Sequence, residues 1–308
     1  MHFLKVRDIP AGDLHHIIER GIAIKQHPET VSDALAGRTL AMLFQKTSTR
    51  TRFSFEVGMT QLGGHAIFAE TRLTNLGIAD VRDEGKVISR YVDLIMARMR
   101  RNTDLMLLAE GSEVPVINGL DEKYHPAQAL TDVMTIHEKL GSVEGQKVVY
   151  VGIANNVSNS LAMATIMLGG RFVLCVPEHD PEARDDEHAA FLRDLDTYAE
   201  TADIDEAMNG ADVVYTDTWV NLEYFSDPDF AEEKERRIAT FMPYQVNEDL
   251  LARSGKDTTL VMHCLPAHKG YEVNDTVLYH PNSVVFDQAE NRLHAQKALM
   301  LYLLDKLD

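Results

Sequence analysis

VVYVGIANNVSNSLAMATIML (148–168) begins as an unbroken run of β-branched and aromatic residues ending on Gly152, then turns to apolar residues spaced three and four apart. The first part reads as a strand buried on both faces and the second, from Asn156 to Leu168, as a helix. The same signature recurs outward in both directions. Short apolar runs stand at TLAMLF (39–44), HAIFA (65–69), DLIMA (93–97), VPVIN (114–118), FVLCV (172–176), DVVYT (212–216), LVMHC (260–264) and SVVFD (283–287). Helical patterns lie between them at Arg52–Leu62, Asp83–Tyr91, Pro126–Leu140 and Arg292–Leu307. Strands alternating with helices predict an α/β protein built of parallel sheets. The Gly-containing polar connector GSVEGQK (141–147) separates four early strands from a later group. The expected fold is therefore α/β, two domains each with a central parallel sheet flanked by helices, joined by the helix that starts near Pro126. The charged, Pro-containing segments EHDPEARDDEH (178–188) and EYFSDPDFAEEKERR (223–237) read as surface excursions, with some helix in the second.

The chain has 308 residues, enough for two packed units. Its 30 Lys and Arg face 48 Asp and Glu, a formal charge of −18 that disfavours general binding to nucleic acid or anionic membrane. An anionic substrate requires a locally basic pocket. Cys175 and Cys264 are too few for a disulfide framework and fit a reducing compartment. The N-terminus lacks the basic start and apolar core of a signal peptide, and no run approaches a membrane span. A cytoplasmic protein without a membrane partner is expected.

FQKTSTRTRF (44–53) puts hydroxyls and guanidiniums where a strand passes into a helix. Helix N-termini present unpaired N–H groups and a favourable dipole to anions. Ser48, Thr49 and Thr51 add donors there, and Arg50 can grip phosphate oxygens in paired geometry. An ordinary capped helix with solvated arginines would read the same way. Arg98, ending DLIMAR, and His125 with Gln128 in YHPAQALTD also sit at element ends, where α/β folds collect ligands. So does Arg292, placed after the last expected strand. Each has a bland reading by itself; together they point to a small anionic, oxygen-rich ligand.

STRTR (48–52), HPAQALTD (125–132), HCLP (263–266) and FDQAENRLHAQKAL (286–299) resemble the aspartate and ornithine carbamoyltransferases, in order and with comparable spacing over nearly the whole chain. HCLPAHKGYEV resembles the ornithine branch. The resemblance implies a carbamoyl-phosphate unit at residues 1–132, an amino-acid unit at 133–289, and a C-terminal helix (290–308) returning to the first. It implies phosphate contacts from Ser48, Thr49, Arg50, Thr51 and Arg98, and carbamoyl contacts from His125, Gln128, Leu265 and Arg292. On the amino-acid side it implies Asn156 for the carboxylate, Asp217 for the α-ammonium, and Asn221, Leu222, Cys264 and Leu265 along the acceptor. It further implies a homotrimer in which Asn75 of TNLGIAD (74–80) serves a neighbour's site.

The chain also departs from the pattern. Asn221 and Leu222 replace the serine and methionine of the ornithine-branch D-x-x-S-M-G, and Ile153 stands in place of an aspartate. L-ornithine is the expected acceptor, with lysine, diaminobutyrate, putrescine and N-modified ornithine as alternatives. A catalytic role is expected of Arg50, Arg98, His125, Gln128, Cys264 and Arg292, with neither metal nor cofactor. The rival readings are weaker. VGIANNVSNS lacks the G-x-G-x-x-G of a dinucleotide site. A zinc site on His263, Cys264 and His268 lacks a second paired ligand motif. A hydrolase would need a base and an orienting acid beside Cys264. A binding protein of this fold without turnover remains open.

Overall fold

The structure is a computed structural model that describes residues 1–220, 225 and 227–307. Strands β1 (Thr39–Phe44), β2 (His65–Glu70), β3 (Leu94–Arg98) and β4 (Val116–Leu120) form a parallel sheet in the order β2-β1-β3-β4. Helices α1 (Ala11–Gln26), α2 (Thr49–Gln61), α3 (Val81–Ile88) and α4 (Asn102–Gly111) belong to this part, and α5 (Pro126–Leu140) leads out of it. The second sheet holds β5 (Lys147–Ala154), β6 (Arg171–His179), β7 (Tyr198–Thr201), β8 (Val213–Thr216) and β9 (Leu260–His263), parallel in the order β7-β6-β5-β8-β9. With it run α6 (Asn156–Met167), α7 (Asp186–Arg193), α8 (Ile204–Met208), α9 (Ala231–Phe241), α10 (Glu248–Ala252) and α11 (Asp275–Leu278). The last helix, α12 (Val285–Leu303), packs against α1, α2 and α5.

Strand residues divide between cores with a period of two, as the pleat requires. Leu40, Met42, Phe44, Leu94, Met96, Val148 and Tyr150 enter one continuous core that reaches from the first sheet to the second. Ala41, Leu43, Ile95 and Ala97 face a separate core under α3 and α4, and Val149 and Val151 face another on the far side of the second sheet. Both faces are covered, which is why these strands read as continuous apolar runs.

The apolar run at 283–287 is not a strand. Ser283 makes an isolated bridge to Val261, and the helix begins at Val285. Val284 and Val285 bury into two different cores, and so short a run looks alike whether it is a strand or a buried first helical turn. In the opposite sense, β7 (YAET) is an edge strand with two exposed residues and carries no apolar run to betray it.

α5 opens with Pro126 and closes on Gly141, whose φ of 82° supplies the left-handed turn. α12 is buried around nearly its whole circumference and is fastened by polar contacts at depth. Asn291 Nδ2 donates to Thr135 Oγ1 at 3.0 Å, and the buried Lys297 Nζ donates to Gln61 Oε1 at 3.0 Å. These contacts hold α12 so that Arg292, midway along it, lies against the start of α2.

Candidate functional site

Each sheet reverses its strand order once, at β1 between β2 and β3, and at β5 between β6 and β8. Ligands of open α/β sheets bind beyond the carboxyl ends of the strands at such points. A cavity of about 450 Å³ lies there, lined from the ends of β1, β3, β5, β8 and β9 together with α5 and α12. Its lining includes Ser48, Thr49, Arg50, Thr51, Arg98, His125, Gln128, Asn156, Asp217, Cys264, Leu265 and Arg292. Residues that the sequence spreads over 245 positions thus meet in one place. Asn75 does not join them: it is exposed on a short turn after β2. Asn221 and Leu222 lie outside the described residues.

One end of the cavity is cationic. Ser48 caps α2, its hydroxyl accepting from the Thr51 N–H at 3.3 Å and donating to Thr51 Oγ1 at 3.0 Å. Arg292 Nη2 donates to the same Thr51 oxygen at 2.8 Å, and Nη1 donates to Gln128 Oε1. Burial and then the charge of Arg50 lower the Arg292 pKa to about 10, so it is still cationic at neutral pH. Arg50 is likewise pulled below its ordinary value, by burial first. Three guanidiniums converging inside a chain of net charge −18 make a site that gains most from a dense anion.

Next to them stands a neutral histidine. Burial, followed by the charges of Arg292, Arg98 and Arg50, pushes the His125 pKa well below the ordinary imidazole value. Its backbone N–H donates to Ser160 Oγ at 2.8 Å. A neutral imidazole fixed in this way can donate one N–H to a carbonyl oxygen without bringing a fourth charge.

Gln128 is oriented from below. Its Nε2 donates to Asp132 Oδ1 at 2.7 Å, one helical turn on. Gln288 Nε2 donates to the same oxygen at 2.7 Å, while Gln288 Oε1 accepts from the His263 N–H at 3.0 Å. Burial raises the Asp132 pKa to about 7 against the opposing effect of these hydrogen bonds and Arg292. Neither Asp132 nor Gln288 was read from the sequence as part of the site. Asp132 closes the same HPAQALTD motif, at helical spacing from Gln128, and that spacing was the available signal.

The second sheet contributes a carboxylate to the same cavity. Asp217, just past β8, accepts from the Cys264 thiol at 3.0 Å and the Thr218 N–H at 2.8 Å on one oxygen, and from Asn155 Nδ2 at 2.8 Å on the other. Burial and the adjoining carboxylate push the Cys264 thiol well above its ordinary pKa, so it is a poor nucleophile. Asn156 turns its amide toward the Asp121 carbonyl, donating at 2.6 Å, which leaves it one further N–H for a ligand. Asn155, Lys46 and Thr218 line the cavity too and were not read from the sequence.

Leu265 has φ of 55°, and its N–H donates to His263 Nδ1 at 2.8 Å. His263 Nε2 therefore carries the proton and donates to Glu272 Oε1 at 3.1 Å. Asp217, His263 and Cys264 offer potential metal-ligand atoms within 4.8 Å of one another, but both His263 nitrogens are committed to these two bonds. His268, weighed with His263 and Cys264 as a ligand, turns instead to Thr218 Oγ1 at 2.8 Å and stacks on Phe225.

Ile153 buries with Trp219 and Phe241. The indole of Trp219 lies so close to Gly152 that a Cβ there would meet Nε1 at 3.0 Å, at a φ of 125° that L side chains rarely adopt. An apolar wall replaces the aspartate of the family pattern.

Two family models match the chain: aspartate/ornithine carbamoyltransferase, carbamoyl-P binding domain, over residues 1–138, and the Asp/Orn binding domain of the same family over 144–303. The chain is 43% identical over 305 residues to the ornithine carbamoyltransferase of Methanospirillum hungatei, covering 98% of each. It is 48% identical over 276 residues to that of Pyrococcus horikoshii, covering 88% of this chain and 84% of the other. The solved ornithine carbamoyltransferase of Pyrococcus furiosus superposes with a TM-score of 0.86 at 43% identity, covering 97% and 96% of the two chains.

Proposed function

This chain belongs to the aspartate/ornithine carbamoyltransferase family, and we propose that it transfers the carbamoyl group of carbamoyl phosphate to the side-chain amine of L-ornithine, giving citrulline and phosphate. The observation that carries this reading is the polarity of the cavity. Arg50 and Arg98 from the first sheet's side, with Arg292 of α12, and the Asp217 carboxylate from the end of β8 in the second sheet line the same cavity. That arrangement suits a phosphate and an α-ammonium held apart across a reacting centre.

In this reading Ser48, Thr49, Arg50, Thr51 and Arg98 bind the phosphate, and His125, Gln128, Leu265 and Arg292 hold the carbamoyl end. Asp217 takes the α-ammonium, the remaining N–H of Asn156 the carboxylate, and Cys264 and Leu265 flank the attacking amine. Asn221 and Leu222 would complete that side. The neutral amine attacks the carbonyl carbon, a C–N bond forms, and the carbonyl oxygen takes up negative charge. Arg98, the neutral His125 and Thr51 donate to that oxygen. The tetrahedral intermediate then breaks its C–O bond to phosphate, which leaves with the electron pair and takes the amine proton. Catalysis rests on positioning and charge stabilisation, so the chemistry requires no protein nucleophile and no metal or other cofactor.

Residues 1–132 with the returning C-terminal helix form the carbamoyl-phosphate unit, and 133–289 the amino-acid unit, with α5 running through the join. A homotrimer is supported by the exposed apolar side chains on and near the edge strand β2 and the segment after it: Phe53, Ile67, Leu73 and Ile78. Such a surface on an open sheet edge is suited to burial against another copy. Asn75 follows β2 on the same exposed segment and does not line its own chain's cavity. Two unpaired cysteines, the net negative charge and the lack among the described residues of a helix long and apolar enough to cross a membrane support a cytoplasmic enzyme with neither nucleic acid nor membrane as partner.

Purified protein given carbamoyl phosphate should form citrulline from ornithine in a colorimetric ureido assay. The same assay with lysine, 2,4-diaminobutyrate, putrescine and N-acetylornithine decides the acceptor. Strong turnover of any of these with none of ornithine would keep the reaction class and remove the substrate. For the trimer, inactive Arg98→Ala and Asn75→Ala proteins should regain activity on mixing.

A further inference from the structure

We propose that Asn155, held by Tyr150, is a positioning residue that sets the orientation of the Asp217 carboxylate for the α-ammonium of the acceptor; this rests on the acceptor reading above. Asn155 Oδ1 accepts three hydrogen bonds. Two come from the Val157 and Ser158 N–H groups at 3.0 and 3.1 Å, where Asn155 caps α6, and the third from the Tyr150 hydroxyl at 2.9 Å. With the oxygen so occupied the amide has one orientation only. A flip would set its oxygen against the Asp217 carboxylate and its NH2 against two backbone N–H groups.

Nδ2 therefore faces Asp217 Oδ2 at 2.8 Å. The other carboxylate oxygen is held by the Cys264 thiol and the Thr218 N–H. A carboxylate offers roughly four acceptor positions, so three fixed donors leave about one, and it is open to the cavity that Asp217 lines. Tyr150 explains itself in the same way. It is fully buried between Val149 and Val151 in β5, stacked on Tyr215 with ring centroids 5.5 Å apart, and its one side-chain polar atom goes to Asn155. The helix cap and the carboxylate clamp are thus two ends of one amide.

The two roles separate experimentally. Asp and Ser both cap helices through a side-chain oxygen, and both lack the Nδ2 donor. In Asn155→Asp and Asn155→Ser, KM for L-ornithine should rise at least ~10-fold, more in the Asp variant because it sets two carboxylates together, while KM for carbamoyl phosphate stays within ~2-fold. Their melting temperatures should stay within about 3 °C of the parent, since the cap survives. Tyr150→Phe should raise the same ornithine constant by a smaller factor, ~3-fold, through loss of one supporting hydrogen bond. Equal losses for both substrates, or thermal collapse of both Asn155 variants, would make Asn155 a structural cap only and overturn the proposal. So would an unshifted ornithine KM in an otherwise active protein, and that result would leave the acceptor reading intact. A parent protein inert toward ornithine would overturn both.

Discussion

Arg292 on α12 donates to the Thr51 hydroxyl on α2 at 2.8 Å, joining residues 241 positions apart. The bond ties the C-terminal helix to the start of α2, the proposed anion site. Thr51→Val keeps the shape of the side chain but strands a buried guanidinium N–H, and should lower kcat/KM for carbamoyl phosphate by ~10-fold or more. Arg292→Lys, Arg50→Ala and Arg98→Ala each remove a donor that the transition state needs, and each should cost at least ~10²-fold in turnover. Steady-state kinetics on folded variants checks this, and near-parental rates in any of these three arginine variants would contradict the assigned roles.

Asp132 gives the stability of the protein an alkaline dependence. Its folded pKa of about 7 lies above the ordinary 3.8, so the native state holds the proton more tightly. The associated stability is fully present below about 3.8 and is lost as pH rises through about 7. Asp132→Asn should therefore gain melting temperature relative to the parent on going from pH 5 to pH 8.5. A constant difference between the two proteins across that range would refute the assignment.

His294 acts with the opposite sign. Burial and then the charge of Lys297 lower its pKa from 6.5 to about 4, so the unfolded chain binds more protons between those values. Stability falls as pH drops from 6.5 toward 4, by about 1.4 kcal/mol for each unit of pKa separation. His294→Gln should flatten this acid limb in chemical denaturation series at pH 4.5, 5.5 and 6.5. Parallel curves for variant and parent would show that another group sets the limb.

Glu272 holds the turn that carries Cys264 and Leu265. Its Oε1 accepts from His263 Nε2 at 3.1 Å and from the His268 N–H at 2.6 Å. Glu272→Leu removes the acceptor from one buried and one part-buried donor and should cost ~1–3 kcal/mol of stability for the buried donor left unpaired, with at least ~10-fold loss in kcat/KM for ornithine. Glu272→Gln keeps an acceptor oxygen and should behave much more like the parent. Equal damage from both substitutions would point to the charge rather than to the turn.

The residues proposed to bind the anion were legible in the chain because local structure places them. A strand that passes into a helix exposes N–H groups at one known point, and STRTR (48–52) and HPAQALTD (125–132) carry hydroxyls, a guanidinium, an imidazole and an amide at such points. The sheets were legible for a similar reason: strands buried on both faces have to be apolar throughout. The SVVFD run (283–287) misled because a buried helix start meets the same requirement.

Sequence alone determined the parallel α/β architecture and the cationic part of the cavity's lining, since periodicity and helix-end chemistry act over a few residues, while Asn156, Asp217, Cys264 and Leu265 were indicated by the family resemblance. Only the tertiary structure decided which amide faces which carboxylate. Asn155 and Asn156 are adjacent and chemically identical, yet one clamps Asp217 and the other turns to the Asp121 carbonyl. Asp132, Gln288 and Tyr150 likewise take their roles from contacts with other elements or across a turn. Hydrogen-bond direction in a buried network depends on every donor and acceptor that folding brings within about 3 Å, and those partners lie up to 241 residues away along the chain.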